Sequence, residues 1–524
     1  MVTRSGEVAV ADVAAGRPTR RWWALAAISV SALVVGLDLT VLSLALPTIG
    51  ASTGASTGDL QWITDSYALV MAALILPAGL LGDAYGRKRV LLVSLVVFAA
   101  ASAWVAYSAG IGELIAARAV LGVGAAAVFP MAIAVIPVMF AEHERQKAVA
   151  AMAAAIFVSY PIGPILGGFL LDHFWWGSVF LINVPVVAIA LVAVARWLPE
   201  SRAASRPRLD APGVAASSAA LAGLTYGFIR AGEASWTDPV ALSAMAAGIV
   251  LLTVFVWWER LVARRGGQPL VDLPLFRVTG FRWGTILMTL VTFAMFGLMF
   301  TVPLYFQDIR GATPLGSGVR MLPLVGGMLV GMAAGSRLTD TRKGPGGSVL
   351  PPLVSARLGI TAGFCVMAAG LALGAFTSLS SSMGFAALWI TLTGAGLGAA
   401  MPAAMNAAIG ALTEDRSASG GALIQAVRQV GATIGVAVLG TVISNGYASR
   451  LPSSVAALPA AAAHAVRSGV AGGVAVASRL GPGPLLGQVR SAFVGGMDVM
   501  LWTCGGIAIA SALLALIFLR QSDT

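Results

Sequence analysis

Charged residues are scarce in this chain of 524 residues. Only 10% of them are Asp, Glu, Lys or Arg, whereas 58% are hydrophobic and the mean hydropathy is +0.88. A soluble globular domain carries about 25% charged residues, and no soluble fold of this length could cover so much apolar surface with polar side chains. The scarcity therefore excludes a soluble protein and indicates a chain that is solvated mostly by lipid.

Histidine and cysteine are also rare, with three and two copies. The three histidines form no pair at metal-binding spacing, and Cys365 and Cys504 both lie in apolar runs, which predicts small buried side chains and no disulfide. No lysine follows a glycine, so a Walker A loop is lacking and ATP-driven export by this chain alone is excluded. We expect no metal, no cofactor and no enzymatic activity, and an intramembrane enzyme is the disfavoured alternative.

Long apolar runs are abundant instead. A spanning helix needs about 20 mostly apolar residues, and the sequence predicts fourteen of them, which makes the fold class an all-α membrane protein. Twelve spans is the alternative, if the seventh and eighth are misread. The fourteen runs lie near 22–49, 60–82, 89–109, 113–139, 148–171, 177–198, 212–231, 239–261, 282–306, 316–338, 355–376, 383–409, 419–445 and 491–519.

The basic residues between the runs indicate the orientation. The net charge of +11 is scattered in short clusters such as Arg87-Lys88-Arg89, Arg202 to Arg208 and Arg342-Lys343, which is the pattern of membrane topology and not of a nucleic-acid binder. If both termini are cytoplasmic, most Lys and Arg residues fall on the cytoplasmic side. We expect the membrane to be the inner membrane of a bacterium. The tail 1–21 has no signal-peptide pattern, and segment 446–490 is predicted to be an external loop with a helix near 453–479, or else a re-entrant hairpin.

Two ionisable residues stand well inside predicted spans, where each costs roughly 2.5–3.5 kcal/mol on insertion scales. Asp38 lies in the first span and Arg118 in the fourth. Burial favours the neutral form of a carboxyl group and a nearby cation favours the charged form, so a carboxyl group under both influences can bind and release a proton. A structural Asp locked to an Arg is the alternative.

Other polar residues in the spans have less decided roles. Asp65, followed by Tyr67 in the second span, could attract a cationic substrate, relay a proton or merely be hydrogen-bonded near the outer interface. Arg428 in the thirteenth span is predicted to have a structural or gating role. Asp308 and Asp498 lie near outer helix ends and are expected to be solvated.

A glycine-rich basic loop joins the second and third spans, with Gly79, Asp83, Gly86, Arg87 and Lys88 as its candidate residues. Glycines let two helix ends approach closely, and Asp83 can cap a helix N-terminus or pair with a cytoplasmic Arg, which would latch one conformation. In the fifth span, Gly and Pro are clustered and predict a kinked, closely packed helix. These residues are Gly163, Pro164, Gly167 and Gly168.

Together these motifs resemble those of the major facilitator superfamily, in its fourteen-span drug–proton antiporter subfamily. The loop is similar to G-x-L-A-D-R-x-G-R-K, with Gly82 and Ala84 as departures, and the fifth span to the antiporter motif G-x-x-x-G-P-x-x-G-G, with Ser159 at its first position. Leu37 to Pro47 resembles L-D-x-T-V-V-N-V-A-L-P, and Arg118 falls on the Arg of R-x-x-q-G-x-G-A-A. In the second half, Gly335, Asp340 and Gly344 form a degenerate echo of the loop motif.

The resemblance implies two six-helix bundles plus two extra helices. The domains are then a cytoplasmic tail 1–21, a bundle 22–200, extra helices 201–280 and a bundle 281–524 that carries the external loop 446–490. It implies proton-driven export of lipophilic cationic drugs, dyes or antiseptics by alternating access, with Arg118 in proton transfer. The alternatives are a dedicated exporter of a self-made antibiotic and, disfavoured by the antiporter motif, a proton-coupled nutrient importer. The expected partners are small amphipathic molecules, protons and membrane lipids, with no nucleic acid, and the chain is expected to act as a monomer.

Overall fold

The computed structural model describes residues 18–202, 210–267, 269–339, 342–343, 349–350, 355–412, 414–481 and 483–519. Within these ranges the chain is nearly all helical, as its apolar runs predict. The basic tail at 1–17, most of the basic loop at 203–209, and the motif residues Asp340 and Gly344 lie outside the described residues.

The α-helices follow the predicted spans closely, because each apolar run can satisfy its backbone hydrogen bonds only internally in lipid. In chain order they are α1 (Pro18–Thr53), α2 (Thr57–Tyr85), α3 (Arg87–Ala106), α4 (Ile111–Ala126), α5 (Val128–Met139), α6 (Glu142–His173), α7 (Ser178–Leu181), α8 (Asn183–Trp197), α9 (Ala211–Glu233), α10 (Pro239–Arg264), α11 (Thr279–Leu304), α12 (Pro314–Thr339), α13 (Ala356–Gly374), α14 (Met383–Ile409), α15 (Glu414–Ala448), α16 (Ala460–Ser468), α17 (Val470–Arg479) and α18 (Pro484–Phe518).

Short non-α elements interrupt this series. Two 3₁₀ turns occupy Leu273–Arg277 and Ser453–Ala457, and a π-helical turn at Tyr305–Ile309 continues α11. The strands β1 (Arg342–Lys343) and β2 (Val349–Leu350) form a small antiparallel pair that the sequence did not predict.

Thirteen helical segments of the described residues are long and apolar enough to cross a membrane. They correspond to all the predicted spans except the fifth, which lies within α6, a helix of 32 residues whose first turns are charged. Both α9 and α10 qualify, so the twelve-span alternative is not supported. The fourth span is divided into α4 and α5 at Ala127 because Pro130, having no N–H, leaves the carbonyl of Ala126 without its usual donor.

Two local expectations need adjustment. Cys504 is buried, but Cys365 is exposed on the outside of α13. The segment predicted as an external loop is largely helical, with α16 and α17, and α18 begins at Pro484, seven residues before the predicted start.

The chain forms two compact units. The first contains Met1–Leu42, Ser66–Leu221 and Leu251–Val271, and the second contains Ser43–Asp65, Ala222–Val250 and Asp272–Thr524. In the first unit α3 packs against α4 and α8, and in the second α14 packs against α12 and α13 while α15 packs against α11 and α18. The domain boundaries predicted from the sequence follow the order of the spans, and they stay a prediction.

Candidate proton and substrate site

The centre of the first unit holds an ion pair between α1 and α4. Arg118 Nη1 donates a hydrogen bond of 2.7 Å to Asp38 Oδ2, and neither side chain is exposed to solvent. The sequence predicts both residues as the proton-coupling pair but cannot show that they meet. The contact places a fixed cation beside a carboxyl group, because a guanidinium keeps its proton in proteins.

An amide that the sequence analysis did not single out completes this pair. Asn183, at the start of α8, donates through Nδ2 to Asp38 Oδ1 at 3.3 Å and to Ser102 Oγ at 3.4 Å, and it is buried. Both carboxyl oxygens of Asp38 therefore have a donor. An Asn within an apolar run was the available signal, since polar side chains inside spans are rare and tend to be functional.

Aromatic rings cover the guanidinium. The Arg118 Cζ atom lies 4.5 Å from the ring centroid of Tyr67 and 5.8 Å from that of Phe180. Both rings are buried, and cation–π contacts of this kind strengthen when they are desolvated. Tyr67, predicted for substrate binding or cation guidance, is thus placed against the ion pair.

Asp65 stands two residues before Tyr67 on α2 and is counted with the second unit. It is wholly buried, and neither of its carboxyl oxygens has a hydrogen-bond partner among the described residues. A buried carboxyl group without a donor is costly as an anion. The cost is lower when the group is protonated or when a cation lies beside it.

The glycines of the antiporter motif pack directly against the helix that carries Asp38. A Cβ atom built on Gly163 would lie 1.9 Å from Thr40 Oγ1, and one built on Gly167 would lie 3.0 Å from Val41 Cγ1. Pro164 and Gly168 are buried beside them on α6. Only glycine at position 163 lets α6 and α1 approach this closely, at Thr40, two residues from Asp38.

The predicted latch forms a compact polar cluster at the α2–α3 junction. Arg87 donates through Nε and Nη2 to Asp83 Oδ1, at 3.0 and 2.8 Å, and through Nη1 to the carbonyl of Ala134 at 2.9 Å. Lys88 Nζ donates to the carbonyl of Ala195 at 2.7 Å. Asp83 thus pairs with a cytoplasmic Arg, one of the two roles predicted for it.

The latch glycines differ in what they contribute. Gly86 has φ +110°, and a Cβ there would lie 2.6 Å from Glu200 Oε1, so both its backbone and its surroundings require glycine. A Cβ at Gly79 would be 3.9 Å from Pro130, which is an ordinary contact. The close approach expected of Gly79 occurs instead at Gly82, where a Cβ would lie 2.3 Å from the Met131 side chain.

The remaining predicted polar residues lie in the second unit. Arg428 is half-buried on α15, where it donates to Thr292 Oγ1 and to Gln425 Oε1. Asp308 and Asp498 are partly buried and not fully solvated, and they interact electrostatically with Arg490 and Arg450.

Two glutamines that sequence reasoning missed tie the outer ends of α1 and α2 to other helices of the second unit. Gln61 Nε2 donates to the carbonyls of Val436 and Ala437 at 3.2 and 3.0 Å. Gln307 Nε2 donates to the carbonyl of Leu44 at 2.9 Å. Gln61 is only 1% exposed. Uncharged amides give no charge signal in a sequence, so only the three-dimensional contact reveals them.

The sequence matches the Major Facilitator Superfamily over residues 28–436. The chain belongs to this superfamily. The predicted family is therefore confirmed, and with it a transporter fold whose many spans make this a multi-pass protein of the bacterial inner membrane.

Superfamily members with curated names extend over nearly the whole chain. The chain is 33% identical to the tetracenomycin C resistance and export protein of Streptomyces glaucescens, covering 97% of this chain and 94% of that protein. It is 30% identical to the multidrug efflux pump LfrA of Mycolicibacterium smegmatis, covering 94% and 95%. It is also 30% identical to the methyl viologen resistance protein SmvA of Salmonella typhimurium, covering 94% and 97%.

Solved structures show the same fold at low sequence identity. The fold matches a bacterial homologue of the human lysosomal transporter Spinster with a TM-score of 0.66 at 14% identity, over 97% of this chain and 98% of that one. It matches a D-xylose–proton symporter with a TM-score of 0.62 at 14% identity, over 96% and 98%. Because a symporter shares the fold, the fold alone does not decide the direction of transport.

Proposed function

We propose that this protein is a proton-coupled antiporter that exports lipophilic, cationic drugs, dyes or antiseptics by alternating access. The observation that carries the proton coupling is the buried contact between Asp38 and Arg118. The relatives named for resistance and efflux support the direction and the class of substrate. We further propose that it acts as a monomer built of two six-helix bundles and two extra helices. The residues predicted from its sequence carry the transport.

Proton binding follows from the chemistry of the pair. Asp38 is held as an anion by Arg118 and Asn183, and it becomes neutral when a proton displaces the ionic contact. The guanidinium then remains on the Tyr67 ring. Neutralisation of Asp38 weakens the contact between α1 and α4. Proton binding then allows α1 to move where the glycines of α6 pack against it.

Cation recognition is assigned to Asp65. Its carboxyl group is buried and has no donor among the described residues, so a lipophilic cation that reaches it satisfies a charge that the protein leaves unmatched. A proton satisfies the same group. Competition between proton and cation for this carboxyl group adds to the coupling that Asp38 provides.

Alternating access requires the outer ends of the helices to separate in one half of the cycle. The bonds from Gln61 and Gln307 to backbone carbonyls hold these ends together in the second unit. Such neutral hydrogen bonds contribute only about 0.5–1.5 kcal/mol each. They can therefore break and re-form in every cycle without a large barrier.

A second candidate is a dedicated exporter of an antibiotic made by the same cell. It is favoured by the relative from Streptomyces glaucescens, whose similarity extends over nearly all of both chains. Resistance assays in a drug-sensitive host separate the candidates. Protection against many lipophilic cations supports the multidrug pump, and protection against one antibiotic with no effect on cationic dyes supports the dedicated exporter.

The decisive experiment uses inverted membrane vesicles that contain the full chain and a fluorescent lipophilic cation such as ethidium. An imposed inward-acidic pH gradient should drive dye uptake, a protonophore should abolish it, and Asp38→Asn should abolish it while the protein remains in the membrane. The matched control is Asp59→Asn, which removes a carboxylate that bonds only its neighbour Ser56 among the contacts shown. Uptake that survives both the protonophore and Asp38→Asn would disprove the proposal.

A further test separates Asp65 from Asp38. Asp65→Asn should weaken transport of cationic dyes far more than transport of a neutral amphipathic substrate, because only the cation uses its charge. Asp38→Asn should weaken both equally, since it removes the coupling step. Equal loss of both substrates in Asp65→Asn would contradict the role in cation recognition.

A further inference from the structure

Two acidic residues lie close together in the first unit and do not belong to the proposed transport site. Asp210 immediately precedes α9, and Glu259 is near the C-terminal end of α10, in the extra helix pair. Glu259 is not exposed at all, and Asp210 is partly buried. Neither residue is used by the proposed transport mechanism, so a buried acidic side chain remains to be explained.

Asp210 has the surroundings of an anion. The indole Nε1 of Trp258 donates to both of its carboxyl oxygens, at 2.9 and 3.0 Å. The backbone N–H of Gly213 donates to Oδ1 at 3.2 Å, which is the geometry of a side-chain cap at the N-terminus of α9. The partial positive charge of a helix N-terminus further favours a carboxylate here.

Glu259 is satisfied on one oxygen only. The backbone N–H of Val271 donates to Oε2 at 2.9 Å, whereas Oε1 has no donor among the described residues. A Cβ built on Gly213 would lie 2.7 Å from Glu259 Oε1 and 2.3 Å from Asp210 Oδ2. Glu259 Oε1 and Asp210 Oδ2 therefore border the same small space, which glycine at position 213 leaves free, and the two carboxyl groups lie close together there.

A contact between two carboxyl groups requires a proton. Two carboxylates that share one site repel each other and neither can donate, so such pairs hold one proton between them. Asp210 already has three N–H bonds to its oxygens and is the acceptor. The proton belongs on Oε1 of Glu259, which donates it to Oδ2 of Asp210.

No cation in the described part of the chain replaces this proton. Arg260, Arg264 and Arg265 follow on the same helix end, but all are exposed and none forms an ion pair with Glu259. On the side of α9, the charged group that faces Glu259 is Asp210. On the side of the linker that follows α10, backbone amides of Leu270 and Val271 face it. The upstream basic residues Arg206 and Arg208 lie outside the described residues.

We propose that Asp210 and Glu259 form a proton-binding site separate from Asp38, which acts as a pH-dependent clasp on the predicted cytoplasmic side. The protonated pair fastens the start of α9, the end of α10 and the linker at Val271 to one another. When Glu259 releases its proton to water, two adjacent anions remain, and their repulsion opens the clasp. The linker that leads to α11 is then freed from the extra helix pair.

Trp258 provides a reporter inside the clasp, because its indole N–H is bonded to Asp210. The fluorescence of purified full-length protein is titrated between about pH 5 and pH 8, a range in which folded proteins are usually most stable. The spectrum of Trp258→Phe is subtracted to isolate this residue. We expect a one-proton transition that persists in Asp38→Asn and is lost in Glu259→Gln.

Three results would overturn the clasp. They are the absence of any transition, a transition that is unchanged in Glu259→Gln, and a transition that needs sodium ions and disappears in choline buffer, which would assign the pair to a metal cation. Since the readout does not require transport, it is measured equally well in the transport-deficient Asp38→Asn protein. Failure of the export proposal and failure of the clasp are therefore distinguishable.

Thermal unfolding gives a second measurement. The amide of Glu259→Gln can donate to Asp210 at every pH, so it imitates the protonated clasp. We expect the Tm of the unsubstituted protein to match that of Glu259→Gln at acidic pH and to fall below it as the pH rises. Parallel Tm curves for the two proteins over the whole range would show that no proton is released from the pair.

Discussion

Arg118 Nη1 lies 2.7 Å from Asp38 Oδ2, and both side chains are wholly excluded from solvent. Because each charge has lost its water, each depends on the other. Removing one partner of a buried ion pair typically costs about 3–5 kcal/mol, whereas replacing both partners with apolar residues is often neutral. This asymmetry predicts how single and double variants of the pair should differ in stability.

The first prediction concerns the stability of this pair. Arg118→Leu leaves the Asp38 carboxyl group buried without its cation, so we expect a clearly lowered Tm and no efflux. Adding Asp38→Asn removes the uncompensated charge, and the double variant should recover most of the lost Tm but none of the proton-driven efflux. Fluorescence-detected unfolding in detergent and dye uptake in vesicles measure the two effects. A double variant that is no more stable than Arg118→Leu would contradict the mutual dependence.

Asn183 offers a second prediction, because it is the other donor to Asp38. A hydrogen bond to a charged group contributes about 1.5–3 kcal/mol, and about 1.4 kcal/mol corresponds to a tenfold change. Asn183→Leu should therefore lower the initial rate of proton-driven efflux about tenfold or more. Ser102→Ala is the matched control, since it removes the second partner of the same amide and leaves the bond to Asp38 intact. A larger loss in Ser102→Ala would show that Asn183 acts on packing and not on the carboxyl group.

The sequence alone indicates much of this arrangement. Apolar runs predict the helices because lipid leaves the backbone no other partner, and Asp38 and Arg118 stand out because charge inside a span is costly. It does not show that these two residues meet, since their positions are 80 residues apart in the chain. A local motif holds no information on which helices become neighbours.

Neutral and paired side chains explain most of what was missed. Gln61 carries no charge, and the signal of Asn183 was only its place in an apolar run. Glu259 lies near the end of the predicted span 239–261, where a charged residue is not unusual. The glycines show the limits of motif reasoning as well. Gly79 and Gly82 look equivalent in the loop motif, but only Gly82 is in tight contact. The neighbour that each glycine faces is set by the packing of α2 against α5, which a motif does not contain.

The third prediction concerns the outer helix ends. A Cβ on Gly440 would lie 2.2 Å from Gln61 Nε2, so Gly440→Ala must displace the amide, and Gln61→Leu removes it. The background is a protein in which Cys365 and Cys504 are replaced and Ser444→Cys is introduced. Ser444 lines a small cavity beside Leu60. Gly440→Ala and Gln61→Leu should each speed labelling of this introduced cysteine. A membrane-impermeant thiol reagent is applied to whole cells.

The control for this experiment is Gly421→Ala on the same helix, α15. A Cβ at Gly421 meets nothing within 4 Å, so labelling at Ser444→Cys should be unaffected. Should Gln61→Leu leave the labelling rate at the value of the unsubstituted protein, the amide bonds would not restrain the outer ends.

The last prediction tests the contact between α6 and α1. In Gly163→Ala the new methyl group would lie 1.9 Å from Thr40 Oγ1, and overpacking of this kind typically costs about 1–3 kcal/mol. We expect efflux to fall about tenfold, because α1 carries Asp38 and must move against α6. Thr40→Ala in the same protein removes the offending oxygen and should restore part of the activity, although not all, since the Thr40 Cβ would still lie 2.8 Å away. Gly326→Ala on α12, where a Cβ meets nothing within 4 Å, should transport normally. If Gly163→Ala and Gly326→Ala had equal efflux rates, the close approach of these two helices would have no part in coupling.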